Sequence, residues 1–501
     1  MSAHRRPTPR AVLAAGACAL ALSGLGPDAL AQEPAAPPAA PAAAAPTQAP
    51  PGAQVALSPG QAALVLQTLR DAPGEGLISP SFSAAELQQL ADAAASGGSQ
   101  APLISALLSY ARAVHSGQLP ESAFEDDWGM KPVAYNPAPG LAAAVAADQL
   151  KPWLDGLPPP YTGYETLRKG LAAYRDIAGH GGWSPIAPGP ELKLGSTGPR
   201  VRELRARLAA EDPAVHADGP AAFDQELAQG VARAQKRFGL KDDGVVNAAT
   251  LQALNTPVQA RIDQIVANME RWRWLPPELP TDRIQVNIAA AILTVFHADT
   301  PTLSMRAVTG RPGDETPMLQ SKIESIVLNP PWNVPSTIAT KELWPKEKAH
   351  PGYLKAHDFV VVHTDDGGTR LQQRAGDQSA LGRIKFDFPN KYAVYLHDTP
   401  THGTFDRYSR LASHGCVRLQ RPLDLANAVM EGDATWTPET IQSTIDSGKT
   451  VRAQLPHPIS VFLFYWTAYV APDGQVNFRD DPYGWDKLLV QKLRGADADA
   501  S

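Results

Sequence analysis

The sequence changes its period at Leu275-Pro276-Pro277. Before that point, apolar residues recur at helical spacing in Ala- and Leu-rich runs that prolines cut into pieces. After it, short β-branched and aromatic runs alternate between Gly and Pro turns. A switch from a 3.6-residue to a two-residue period excludes both a single helical bundle and a single all-β domain. At 501 residues the chain has material for about three domains. The pattern predicts a multidomain α+β protein: a helical scaffold, a small three-helix module, and a mainly β, sandwich-like domain.

The helical half divides by texture. Residues 54–190 carry a capping signal at Ser83-Ala-Ala-Glu86 and helical runs over 103–115, 141–153 and 165–178. Leu157-Pro158-Pro159-Pro160 interrupts them. No catalytic motif is found here, so the region reads as scaffold. In 191–257, Leu192, Leu194, Val201, Leu204 and Leu208 make one helical stripe. A second helix spans 225–238, closed by Gly239, and a third spans 250–254. Residues 258–281 supply a connecting helix that stops at the double proline.

Within 282–495, strands are expected over 283–288, 292–297, 304–309, 322–328, 359–363, 391–397, 461–470 and 476–478, and a last helix over 485–493. Residues 335–381 are more polar and read as an insertion over the site. Tyr395 and His397, two apart on a strand, face the same side. About fifteen residues later comes Ser413-His414-Gly415-Cys416. The Gly allows a tight turn and a close backbone approach. A thiol, an imidazole and a phenol brought together are the parts of acyl transfer: Cys416 the nucleophile, His397 its base, and Tyr395 with the N–H groups of Gly415 and Cys416 the oxyanion donors.

The N-terminus bears on the thiol. Arg5, Arg6 and Arg10 precede an apolar run over 11–25, and Ala29-Leu30-Ala31 fits a cleavage site, so residues 1–31 read as a secretory signal. A lipid anchor on Cys18 is the rival reading. Cleavage removes three Arg and one Asp, which takes the net charge from −6 to −8. That charge argues against nucleic acid as a partner. It also leaves Cys416 as the one cysteine of the mature chain in an oxidising compartment, where it cannot be an internal disulfide and is either a thiol paired across an interface or a free reactive one. Residues 32–53, almost all Ala and Pro, form a tether. No later run is long enough to span a membrane.

Several stretches together resemble the L,D-transpeptidase family with the YkuD-type catalytic domain, in its large periplasmic branch. They are Val308-Thr-Gly-Arg-Pro-Gly-Asp-Glu-Thr-Pro317, Asn329-Pro-Pro-Trp-Asn-Val-Pro335, Pro351-Gly-Tyr353, Tyr395-Leu-His-Asp-Thr-Pro400 and Ser413-His-Gly-Cys-Val-Arg-Leu419. The 191–257 module resembles the three-helix peptidoglycan-binding module of cell-wall enzymes. The resemblance implies a periplasmic enzyme that needs no cofactor or metal. Cys416 would attack the third residue of a tetrapeptide stem, release D-alanine as a thioester forms, and pass the acyl group to an amine of a second stem, giving a 3→3 cross-link. It implies supporting roles for His414 beside the nucleophile, and for Trp332, Arg418 and Ser413 in shaping the substrate groove. It also implies capture of Cys416 by carbapenems, a capping role for 335–381, and peptidoglycan stems and other cell-wall enzymes as partners.

The residues also admit three rival readings. A zinc site from His397, His402, His414 and Cys416 has suitable ligand types, but His414 and Cys416 lie only two apart with no second cysteine. Papain-like peptidases place the cysteine before the histidine in the chain, the reverse of the order here. A non-catalytic wall-binding protein is disfavoured by the intact set of Tyr395, His397 and Cys416.

Overall fold

The structure, a computed structural model, describes residues 55–78, 83–96, 98–364, 367–471 and 473–495. The expected signal peptide, the Ala/Pro tether and Cys18 lie outside the described residues. The first helix, Pro59–Asp71, starts at a full capping box between Ser58 and Gln61. At Ser83 only half of the expected box forms: its hydroxyl accepts from the Glu86 N–H and opens Ala84–Ala95. Ala101–Ser116, Ala138–Ala146 and Leu150–Asp155 complete a bundle around Val65, Leu69, Leu107 and Val114. The single helix expected over 141–153 is thus broken in two, with Asp148 in the left-handed region at φ 53°.

The next helix, Thr162–Gly179, belongs elsewhere. Its buried stripe of Tyr164, Leu167, Leu171 and Tyr174 joins the main core of the molecule rather than the bundle core. The three-helix module follows as Pro199–Ala209, Gln225–Arg237 and Ala248–Leu254. Its first helix starts later than its leucines suggest. Leu192 sits in a lone bridge to Val246, and Leu194 is 61 % exposed, so neither extends the stripe. Val258–Trp272 is more than a connector. Ile262, Ile265, Val266, Ala267 and Met269 are buried, and so are Asn268, Glu270 and Arg271.

Beyond it lie β1 (Arg283–Asn287), β2 (Ile292–His297), β3 (Thr300–Gly310) and β4 (Leu319–Leu328). After the insertion come β8 (Ile384–Asp387), β9 (Leu396–His397), β10 (Leu411–Ser413), β11 (Val417–Leu419) and β12 (Val451–Phe464). They form one mixed sheet in the order β10-β3-β11-β9-β8-β4-β12-β1-β2, and β2 also pairs with β3, so the sheet closes on itself. In the closed ring β9 and β11 each have a neighbour on both sides, which is how strands so short are held, while β10 pairs with β3 alone. The single strand expected over 461–470 is split between β12 and β13 (Ala468–Val470), which pairs with β14 (Val476–Phe478). The break at Tyr465–Thr467 spends its backbone on other partners: Trp466 N–H donates to Asn287 and Thr467 N–H to Asn268.

The insertion between β4 and β8 has a core of its own. Strands β5 (Trp332–Asn333), β6 (Phe359–His363) and β7 (Thr369–Gln373) form a three-stranded sheet, with short helical turns over 336–356. Val334, Leu343, Leu354 and Leu371 fill its centre. The described residues make one compact unit. Among the described residues no helix is long and apolar enough to cross a membrane.

Candidate active site

Register puts the candidate residues on one face. β11 runs parallel to β9, with Val417 opposite Leu396 and Arg418 opposite His397. β8 runs antiparallel on the other side, with Phe386 opposite Leu396 and Lys385 opposite His397. Leu396, Val417, Leu419 and Phe386 point into the core and are fully buried. By alternation Tyr395, His397, Cys416, Arg418 and Lys385 share the opposite face. The strand expected over 391–397 is only Leu396–His397, because Ala393 adopts φ 54° and ends the extended run. Tyr395 nonetheless stays in register, since its carbonyl accepts from the Val417 N–H at 3.1 Å. Its ring meets that of His397 edge to face, 5.5 Å between centroids.

The turn before β11 is held from inside. Ser413 Oγ donates to the Cys416 carbonyl at 2.5 Å and accepts from the Gly415 N–H at 3.2 Å. Ser413 is 2 % exposed, so its side chain serves the turn and does not face the groove. The Gly415 N–H, expected as an oxyanion donor, is occupied by that same hydroxyl. Gly415 has φ 100°, and a Cβ there would come within 3.1 Å of the Glu315 carbonyl. Its own carbonyl accepts from Thr316 Oγ1, which in turn accepts from the Gly310 N–H. These bonds fix where the next residue, Cys416, projects.

Cys416 is a free thiol that keeps partial solvent contact. Burial of its sulfur pushes its pKa up; the neighbouring Tyr395 backbone and phenol, and the charges of Lys385 and Arg418, oppose that without overcoming it. His397 is 4 % exposed. Burial, then the charge of Arg418, push its pKa down to about 3. Its Nδ1 lies 2.5 Å from the Asp398 carbonyl. A carbonyl can only accept, so Nδ1 carries the proton and Nε2 presents a lone pair. The resting pair is therefore a neutral thiol and a neutral imidazole. Burial, then the adjacent Cys416, raise the Tyr395 pKa well above the ordinary phenol value, so it stays a donor.

The insertion reaches this face at two points. The Trp332 indole contacts the Tyr395 phenol. Glu342 accepts from His414 Nε2 at 2.7 Å and lies 3.5 Å from Arg311. Although burial works against it, His414, Lys346 and Arg311 together hold the Glu342 carboxyl below its usual range. His414 thus faces the insertion. His402 stands apart in the turn His402–Asp406. Among the described residues no group of three or more His, Cys, Asp and Glu side chains is arranged to hold a metal ion. Alternation pointed to Tyr395 and His397, and the Ser413–Cys416 turn to the thiol. Neither gave a hint of Glu342 or Lys385, which only the insertion's fold and the β8 register bring to the site.

A family model described as "L,D-transpeptidase catalytic domain" (YkuD) matches residues 281–441. One described as "Scaffold domain" matches 56–171, and "Putative peptidoglycan binding domain" matches 197–254. A curated "Putative L,D-transpeptidase" of Haemophilus influenzae is 34 % identical over 253 residues, 47 % of this chain. The chain spans about half the length of that relative, 50 %. Among solved structures, an L,D-transpeptidase from Stackebrandtia nassauensis is 15 % identical, with 56 % of this chain and 97 % of that one covered and a TM-score of 0.23. One from Mycobacterium smegmatis is also 15 % identical, covering 37 % and 58 %, with a TM-score of 0.20. In chain order, then, this sequence carries a segment similar to a scaffold domain, one similar to a peptidoglycan-binding domain and, over 281–441, one similar to the L,D-transpeptidase catalytic domain of YkuD type.

Proposed function

We propose that the chain is a peptidoglycan L,D-transpeptidase that works outside the cytoplasm and makes 3→3 cross-links through a thioester on Cys416. The observation that carries this reading is a free thiol and a neutral, correctly tautomeric imidazole in register on one sheet face, inside a domain matched by the L,D-transpeptidase family. In acylation, Sγ forms a bond to the carbonyl carbon of the third stem residue while the C–N bond to terminal D-alanine breaks. The thiol proton passes to His397 Nε2 and from there to the departing amine. In transfer, a second stem's amine forms the new C–N bond as the C–S bond breaks, and its proton returns through His397 to Sγ. Tyr395 and the Cys416 N–H are the oxyanion donors of this scheme; a donor of that kind is typically worth ~3–4 kcal/mol. Trp332 and the rest of the insertion limit water at the thioester, which otherwise ends in hydrolysis.

The test is to incubate purified protein with a tetrapeptide-stem muropeptide and weigh the products. A cross-linked dimer with loss of one D-alanine is expected, absent with Cys416→Ala. Trimmed stems alone would mean a carboxypeptidase, and unchanged stems a binding protein.

A further inference from the structure

Two cations flank the His397 imidazole at one level of the sheet. Arg418 pairs with it from β11 and Lys385 from β8. Lys385 is not part of any motif that pointed to the site. Its Nζ lies 4.2 Å from the centroid of the Tyr395 ring. Its charge acts on both the Cys416 thiol and the His397 imidazole. From the far side it is anchored by Asp387 Oδ1 at 2.6 Å, while Asp387 Oδ2 takes Arg452 at 2.8 Å. Arg452 in turn donates to Ser325 Oγ at 2.6 Å. Lysines usually extend their ammonium into solvent. Here the side chain is only 23 % exposed and is laid over the phenol of the reaction site. An ammonium has three N–H donors. Asp387 pairs with it on one side and the Tyr395 ring lies on another, and the part of the side chain that stays exposed gives a ligand access to it.

The proposed reaction contains a ligand for it. The amine that leaves the donor stem sits on a carbon that also bears a carboxylate. The amine that replaces it, if it belongs to the side-chain end of diaminopimelate, sits on such a carbon too. Both amines occupy the same position relative to the acyl carbon, one departing and one attacking. A fixed cation beside that position serves both steps.

We propose that Lys385 is the specificity-determining residue of the amine subsite, where it binds the carboxylate next to the reacting nitrogen and selects α-amino carboxylates over plain alkyl amines. This rests on the transpeptidase reading above. During transfer the C–N bond forms, the C–S bond breaks, and the amine proton passes by His397 Nε2 to Sγ. The carboxylate is unchanged and stays on the ammonium.

The test uses the acyl-enzyme formed from a tetrapeptide stem, chased with D-methionine, D-methioninamide or ethylamine, each rate being corrected for its free-base fraction. In the unmutated protein the acid should react faster than its amide by about tenfold, the order expected of one charge-assisted hydrogen bond. In Lys385→Gln that acid-to-amide ratio should fall to about one, and Lys385→Arg should restore most of it. An unchanged ratio in Lys385→Gln, or an equal loss on acid and amide, overturns the proposal. Should Lys385→Gln fail to fold, the unmutated protein still decides, because equal rates on acid and amide overturn it alone. If the unmutated protein forms no adduct on Cys416, the transpeptidase reading itself has failed.

Discussion

At the scale of residues, His397 makes two demands on the protein. In the proposed reaction it is the base and must be neutral, and as a buried group it must stay so. Its pKa of about 3 in the fold lies below the ordinary 6.5, so between these values the unfolded chain binds the proton that the folded chain refuses. Stability from this group is therefore complete above about pH 6.5 and is lost as pH falls toward 3, at up to ~1.4 kcal/mol per pH unit. Urea unfolding at pH 7 and pH 4.5 should show this loss in the parent and a smaller one in His397→Gln; equal slopes would contradict the burial argument. The same neutrality predicts no step near pH 6.5 in the rate at which a carbapenem captures Cys416. Gly415 sets the second residue-level constraint. Gly415→Ala forces a side chain into φ 100° and toward the Glu315 carbonyl. A cost of ~1–2 kcal/mol in stability is expected, with a much larger fall in acylation because Cys416 moves. Full activity in that variant would contradict the role given to the turn.

At the scale of elements, the insertion is a small folded unit tied to the turn that carries Cys416 by Glu342 and His414. Both side chains are about a third exposed, so the bond contributes ~1 kcal/mol at most after solvent screening. Glu342→Gln should leave the fold intact, raise hydrogen exchange over 336–349, and shift product from transfer toward hydrolysis; unchanged exchange and product ratio would reduce the contact to surface decoration. How much of this was legible in the sequence differs by element. Residues three or four apart on the helices, and the alternation of Tyr395 with His397, are local signals, and both were readable. Strands β8, β10 and β11 were not, because runs of three or four residues owe their conformation to neighbours far along the chain. The same holds for Lys385 and Glu342, whose approach to the thiol is decided by register and by the insertion's own core. Ser413 shows the converse: its place in the motif suggested a groove contact, and its hydroxyl is spent inside the turn.

At the scale of the molecule, Val258–Trp272 is the axis. Glu270 and Arg273 pair at 2.8 Å, with both side chains fully buried, and Arg273 also donates to the Tyr164 hydroxyl. Arg271 pairs with Asp486 on the C-terminal helix, and Asn268 donates to Thr467 Oγ1. Buried ion pairs, costly to break from one side, thus tie this helix to its helical neighbours, and a neutral hydrogen bond ties it to the link between β12 and β13. Glu270→Ala should cost ~3–5 kcal/mol by stranding Arg273, read as a clear drop in Tm by circular dichroism; an unchanged Tm would contradict the weight given to this buried pair. What the whole assembly is for turns on one sulfur atom. The most direct measurement is the intact-protein mass after brief exposure to a tetrapeptide stem, with the adduct located by peptide mapping. The predicted result is a gain equal to the stem less D-alanine, carried on Cys416 and absent from Cys416→Ala. Release of D-alanine by Cys416→Ala at the parent rate, or an adduct on any other residue, would contradict the account.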